Sequence, residues 1–247
     1  IVDGKILVNS NITPTNIPSI AATGCSVGTK QGFSIIKFTG TGSAGTLPHG
    51  LSQAPGFVVV KNLDATAGWL VWFNGFSSTE YLVLNLTNSK NSNSGYFNGT
   101  PSSTTFSVST ANNTNGDGDD MIAYLWHDVP GLQKFGSFEG NGNADGTYVE
   151  LGFKPSIILI KNIDNYGSGY DWFIFDTTRD AFNVAENTLK ANLSAAETDS
   201  DSLDILSSGF KIRATTNGIN LNAHTHIYAA WAAAPTSNLF GGQSNAR

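Results

Sequence analysis

This chain of 247 residues carries little charge, one cysteine and one methionine, and no long apolar run. With Cys25 alone, no intramolecular disulfide can form, so stability must come from packing and strand ladders. Cys25 sits in a Gly/Ser/Thr stretch with no adjacent base, which argues against an activated thiol nucleophile. Charged residues make up 13% of the chain, against roughly 25% in ordinary soluble domains. A net charge of −6 on so charge-poor a chain argues against binding nucleic acid or anionic membrane through phosphate charge. No segment approaches the ~18 to 20 apolar residues of a membrane span, so no membrane insertion is expected. The chain starts at Ile1 without a leader pattern, and the expectation is a processed product or a fragment of something longer.

Gly, Asn, Ser and Thr fill the gap, the mark of a strand-and-turn protein with a neutral polar surface. The main positive signal is repetition. Phe38, Gly40, Gly42, Ala44, Leu51, Pro55, Lys61, Asn62 and Asp64 recur as Phe138, Gly140, Gly142, Ala144, Leu151, Pro155, Lys161, Asn162 and Asp164. The offset then widens at Trp69/Trp172 and again at Ile122/Ile227, Trp126/Trp231 and Pro130/Pro235. Loop insertions account for such drift. Phe240 and Gly241 repeat Phe135 and Gly136, as if a third copy were beginning. A strand there could complete the second sheet or pair with a neighbouring subunit.

Short runs of β-branched and aromatic residues between Gly/Asn/Asp clusters predict strands. They fall at 2–8, 33–38, 57–61, 69–73, 81–85, 104–108 and 121–126, then at 147–151, 157–161, 170–175, 209–213 and 225–231. The expected fold is all-β: two tandem, duplicated antiparallel β-sandwich-like units with at most one short helix, placed at 183–197. The expected organisation is an extended lead-in over 1–32, repeat one over 33–134, and repeat two over 135–247 with a partial C-terminal strand.

Candidate chemistry is sparse. Gly40-Thr-Gly-Ser-Ala-Gly45 resembles a nucleotide loop but precedes a proline-flanked strand instead of opening a helix, and reads as a turn. Asp117 to Asp120 have the oxygen-rich look of a cation loop without the closing bidentate Glu, and read as a solvated hairpin tip. His224 and His226 share a spacing that suits metal, yet no further ligands stand nearby, and no metal or cofactor is expected. Asp119, Asp120, Asp176, Glu186 and Glu197 are available to a glycosidase, but nothing pairs them. Tryptophans retained in both copies read as core. Trp72, Tyr81, Tyr96 and Tyr170 remain as the candidate binding residues, an exposed platform for a sugar face or a partner protein.

Several segments together resemble a known family. They are Phe38-Thr-Gly-Thr-Gly42 through His49-Gly-Leu51, Ala54-Pro-Gly-Phe-Val-Val-Val-Lys61, Ile122-Ala-Tyr-Leu-Trp126 with Val129-Pro-Gly131, and Lys134-Phe-Gly-Ser-Phe-Glu-Gly-Asn-Gly142. Phe175-Asp-Thr-Thr-Arg179 and Ser208-Gly-Phe210 extend the match. The pattern is similar to an uncharacterised, repeated β-domain of tailed-bacteriophage virion structural proteins, especially of marine phages. In those proteins it often follows a laminin-G-like or concanavalin-like lectin module. The resemblance implies a non-enzymatic virion protein forming part of a fibre, tail appendage or capsid decoration. It also implies a homo-oligomer whose partners are its own copies and other virion proteins, located in the extracellular particle. It carries no catalytic residues over. Two alternatives stand beside it: a receptor- or glycan-binding module for host attachment, and a polysaccharide hydrolase.

Overall fold

A computed structural model describes residues 18–233 of the chain. The strand expected at 2–8, the rest of the expected lead-in up to residue 17, and the repeat opening at Phe240 and Gly241 lie outside the described residues. The described residues divide into two compact units, one holding 18–83 and 91–127, the other holding 84–90 and 128–233. The boundary therefore falls between His127 and Asp128, several residues before the expected one, and segment 84–90 belongs with the second unit.

The first unit contains β1 (Ala22–Gly28), β2 (Phe33–Thr39), β3 (Gly45–Pro48), β4 (Phe57–Asn62), β5 (Leu70–Phe73), β6 (Glu80–Val83), β7 (Asn91–Ser92), β8 (Thr105–Val108), α1 (Asn112–Asn115) and β9 (Asp120–Trp126). Seven strands form one sheet in the order β1-β2-β9-β4-β5-β6-β7, and β3 pairs with β8. The expected lead-in is thus partly a strand. Residues 22–28 pair antiparallel with β2, from Cys25 opposite Ile36 to Gly28 opposite Phe33. Polar Thr, Ser and Gly positions hid this edge strand from a reading based on apolar runs.

The second unit contains β10 (Gln133–Glu139), β11 (Tyr148–Glu150), β12 (Pro155–Asn162), β13 (Phe173–Asp176), β14 (Leu189–Lys190), β15 (Leu203–Leu206), β16 (Gly209–Ile212), α2 (Asn217–Asn220) and β17 (Thr225–Ala232). Its sheets run β10-β17-β12-β13-β14 and β11-β16-β15. Every named strand pair in both units is antiparallel. The order β2-β9-β4-β5-β6 in one unit has the same sequence of partners as β10-β17-β12-β13-β14 in the other.

Alternation along the strands explains the layers. In β9, Met121, Ala123 and Leu125 are buried while Ile122, Tyr124 and Trp126 are half-buried on the other face, the period of two that a pleated strand imposes. In the second unit, Phe138, Ile158, Ile160, Phe173, Phe175, Tyr228 and Ala230 from the larger sheet pack with Val149, Leu203, Ile205, Phe210 and Ile212 from the smaller one. Phe210 sits edge-on to both Phe138 and Tyr228, at 6.0 and 5.6 Å between centroids, which locks the two layers.

The helix content differs from expectation. Among the described residues two four-residue helices occur, α1 and α2, and none forms over 183–197, where the only regular element is β14. The asparagines there bond to the backbone in ways that compete with a helix. Asn183 exchanges two bonds with the main chain of Ile205, and Asn192 Oδ1 accepts from Trp172 N–H. Arg179 organises the rest of the loop. It donates to Asp176 at 2.6 Å, to the Asn187 carbonyl at 2.7 Å, to Glu197 at 2.9 Å and to the Ile174 carbonyl at 3.0 Å.

Candidate functional site

Lys61/Lys161, Asn62/Asn162 and Asp64/Asp164 recur at a constant offset, and Asn115 and Asn220 occupy matching places in the two units. They serve the fold. Asn62 Oδ1 accepts from the N–H groups of Asp64 and Ala65, closing the turn after β4, while its amide donates to Asn112 O and Asp119 Oδ2, both at 2.7 Å. Asn162 closes the same turn with Asp164 and Asn165 and donates to Asn217 O at 3.1 Å. The carboxylates Asp64 and Asp164 accept from the N–H groups of Asp120 and Thr225, pinning the start of β9 and β17. Asn115 Oδ1 accepts from Thr41 N–H, and its amide reaches Ser43 O and Ser109 O; Asn220 does the same with Asn141 N–H, Asn143 O and Ala214 O. The glycine turns are clasped by this arrangement. A Cβ on Gly40 would stand 1.9 Å from Gly116 O, and one on Gly140 would stand 2.4 Å from Leu221 O.

Lys161 completes this pattern in an unusual way. It is fully buried, and its ammonium donates to the carbonyls of Asn162, Tyr170 and Thr87 at 2.8, 2.9 and 3.3 Å. Burial pushes its pKa down to about 8 from 10.5, with Asp171 pulling the other way. Lys61 donates to the carbonyls of Asn62 and Ala65.

The expected aromatic platform does not form. Trp72 is buried in β5, with its indole N–H donating to Ser77 O at 3.1 Å. Tyr170 is buried in the second unit, its hydroxyl accepting from Asn165 Nδ2. Tyr81 and Tyr96 are half-buried and pack edge-to-face on each other at 4.6 Å. Reasoning from the unpaired position of Trp72 failed because all four residues of β5 are buried, whichever way they point. The tryptophans assigned to the core divide. Trp172 is fully buried, but Trp69, Trp126 and Trp231 are half-buried. Trp126 stacks between Phe33 and Phe57 at 4.8 and 5.1 Å, and Tyr124 continues the row to Trp69.

Four of the five candidate acids are likewise engaged, while Glu186 is exposed. Asp119 holds Asn62, Asp120 pairs with Lys37 at 2.8 Å, and Asp176 and Glu197 share Arg179. Among the described residues no group of His, Cys, Asp and Glu is arranged to hold a metal ion. His226 donates from Nδ1 to His224 O, accepts at Nε2 from Asn162, and stacks on Phe138. His49 accepts at Nδ1 from Leu51 N–H, which leaves Nε2 to donate to Ser102 O at 3.1 Å. Burial lowers both imidazoles to about 4.

A concave site appears where the sequence reading singled out nothing. A pocket of about 360 Å³ in the second unit is lined by Ser168, Gly169, Phe173, Lys190, Ser200, Asp201, Thr216, Asn217 and Gly218. Phe173, Asp201 and Gly218 form a buried floor, Lys190 and Thr216 half-buried walls, and Ser168, Gly169, Ser200 and Asn217 an exposed rim. The Asp201 carboxylate accepts from the Thr216 and Ser200 hydroxyls, and burial raises its pKa despite those bonds. Lys190 pairs with buried Asp171 at 3.1 Å and lies 5.6 Å from the centre of the Phe173 ring. These residues come from two loops, strands β13 and β14 and the start of α2, with no shared motif, so only burial of an acid after a Ser-Asp run could have hinted at them.

No curated protein and no solved structure matches this chain. Residues 9–235 match the family described as a domain of unknown function (DUF7483), a match over nearly the whole length, and the chain belongs to that family.

Proposed function

We propose that this protein is a non-enzymatic structural component of a tailed-phage virion, acting as a rigid β module in a fibre, tail appendage or capsid decoration. The observation that carries the reading is the use of the repeated polar residues. Lys161, Asn62, Asn162, Asn115 and Asn220 all hold strands and turns together, and none is presented to a substrate. Among the described residues no buried side-chain nitrogen or oxygen lacks a hydrogen-bond partner. The resemblance of the glycine, proline and tryptophan pattern to virion β-domains supplies the location. Repetition of such a module around a symmetric particle turns weak surface contacts into avidity.

The test is direct. Particles purified from a host producing this chain are analysed by quantitative mass spectrometry and immunogold microscopy. The chain is expected as a fixed-stoichiometry component on an external part of the particle. Its recovery only from the infected cell, with none in the particle, would overturn the proposal.

A further inference from the structure

We infer that the second-unit pocket is a binding site for one residue of an uncharged sugar. Its lining sets the class of ligand. Phe173 is the one large apolar side chain among the lining residues, so the site lacks the sleeve that holds an apolar molecule. Lys190 is already paired with Asp171, and Asp201 is held by the Thr216 and Ser200 hydroxyls, so neither charge stands unpartnered to select an ion. What remains is a concentration of hydroxyls, one carboxylate and one ammonium around a ring.

The hydrogen-bonding capacity suits a polyol. Asp201 Oδ1 accepts from Thr216 and Oδ2 accepts from Ser200 at 3.2 Å. A carboxylate has about four acceptor positions, so capacity remains for the two hydroxyl donors of a vicinal diol. The Lys190 ammonium has three donors, which allows it to keep Asp171 and still donate to a ligand oxygen. The backbone makes room. Gly169 has φ +86 with nothing within 4 Å of where its Cβ would be, whereas a Cβ at Gly218 would come within 2.5 Å of the Phe173 ring. Glycine at these two places opens one wall and keeps the floor closed against the aromatic ring. The volume, about 360 Å³, lies at the small end of the ~300 to 1,000 Å³ usual for small-molecule sites, room for one sugar residue and little more.

The experiment uses the full chain and two variants, Asp201→Asn and Ser168→Arg. Saturation-transfer NMR is run with glucose, galactose, mannose, rhamnose and N-acetylglucosamine, and with glucuronate and glucosamine as charged comparators. Amide shift mapping locates the contact. At least one neutral sugar is expected to bind, with shifts centred on Gly169 and Gly218, and both variants should weaken it about tenfold or more while melting near the wild-type temperature. Should Asp201→Asn fail to fold, Ser168→Arg decides, because Ser168 is an exposed rim residue. No binding by any neutral sugar, shifts centred elsewhere, tighter binding of a charged comparator, or unweakened binding by a folded variant overturns the inference. The site stands independently of the virion reading, which is tested on particles.

Discussion

Mild acid should destabilise this protein through two imidazoles, one in each unit. His49 and His226 are fully buried, and burial lowers each from 6.5 to about 4. The cause is specific. Nδ1 of His49 faces the Leu51 N–H and Nε2 of His226 faces the Asn162 amide, so a second proton on either ring would meet a donor instead of an acceptor. In the unfolded chain each histidine protonates as the pH falls through about 6.5. The folded chain resists until near 4, so the unfolded state binds more protons in between. Stability is therefore fully present above pH 6.5 and is lost as the pH falls towards 4. Between pH 7 and 5.5 the loss is on the order of 1 kcal/mol per histidine, about 2 to 3 for the pair. That is a sizeable part of a typical total of ~5 to 15 kcal/mol. Asp201, raised by burial, works the opposite way, its folded form holding its proton more firmly than the unfolded one. The assay is urea unfolding at pH 7 and 5.5 of the wild type, His49→Gln and His226→Gln. Glutamine can still offer an acceptor and a donor but does not titrate. Each variant should lose about 1 kcal/mol less than wild type over this interval. Parallel losses in all three proteins would refute the reasoning.

Other expectations follow from the same contacts. Asn220→Ala strips Asn141 N–H, Asn143 O and Ala214 O of a partner and should cost ~2 to 4 kcal/mol in urea unfolding; an unchanged midpoint would show that water replaces the side chain. Gly40→Ala drives a methyl against Gly116 O and should lower stability by ~2 to 4 kcal/mol by the same measurement, whereas Gly75→Ala meets no atom within 4 Å and loses stability only through its φ of +88. Arg179→Lys keeps one charge but loses the fork that joins Asp176, Glu197 and two carbonyls. Chymotryptic cleavage after Phe182, which is 86% exposed, should then accelerate several-fold, and an unchanged rate would remove Arg179 as organiser of the loop.

The strands were legible because apolar runs between glycine clusters carry their own period, and the Gly40 and Gly140 turns were legible because glycine is needed at close approach. The two short helices were not, since Asn112–Asn115 and Asn217–Asn220 have no apolar stripe and exist to present Asn115 and Asn220 to the neighbouring turns. The burial of Trp72 was misread because an aromatic without a counterpart looks available, while β5 is an inner strand of its sheet. The pocket was invisible for a different reason. Ser168, Lys190, Asp201 and Thr216 are joined only by the fold, and none carries a local sequence signal of its own.

Segment 84–90 makes the second unit discontinuous along the chain. Lys90 N–H donates to Ile163 O at 2.7 Å, and Thr87 O is one of the three acceptors that hold the buried Lys161. A polypeptide beginning at residue 128 would therefore contain Lys161 without Thr87, so that half is not equivalent to the unit found here. During synthesis, residues 84–90 emerge well before β12 and must wait for it. Closure across so many residues is a slow kind of contact to make. Completion of the second unit thus draws on chain from both sides of residue 91, and no single cut would yield two complete units.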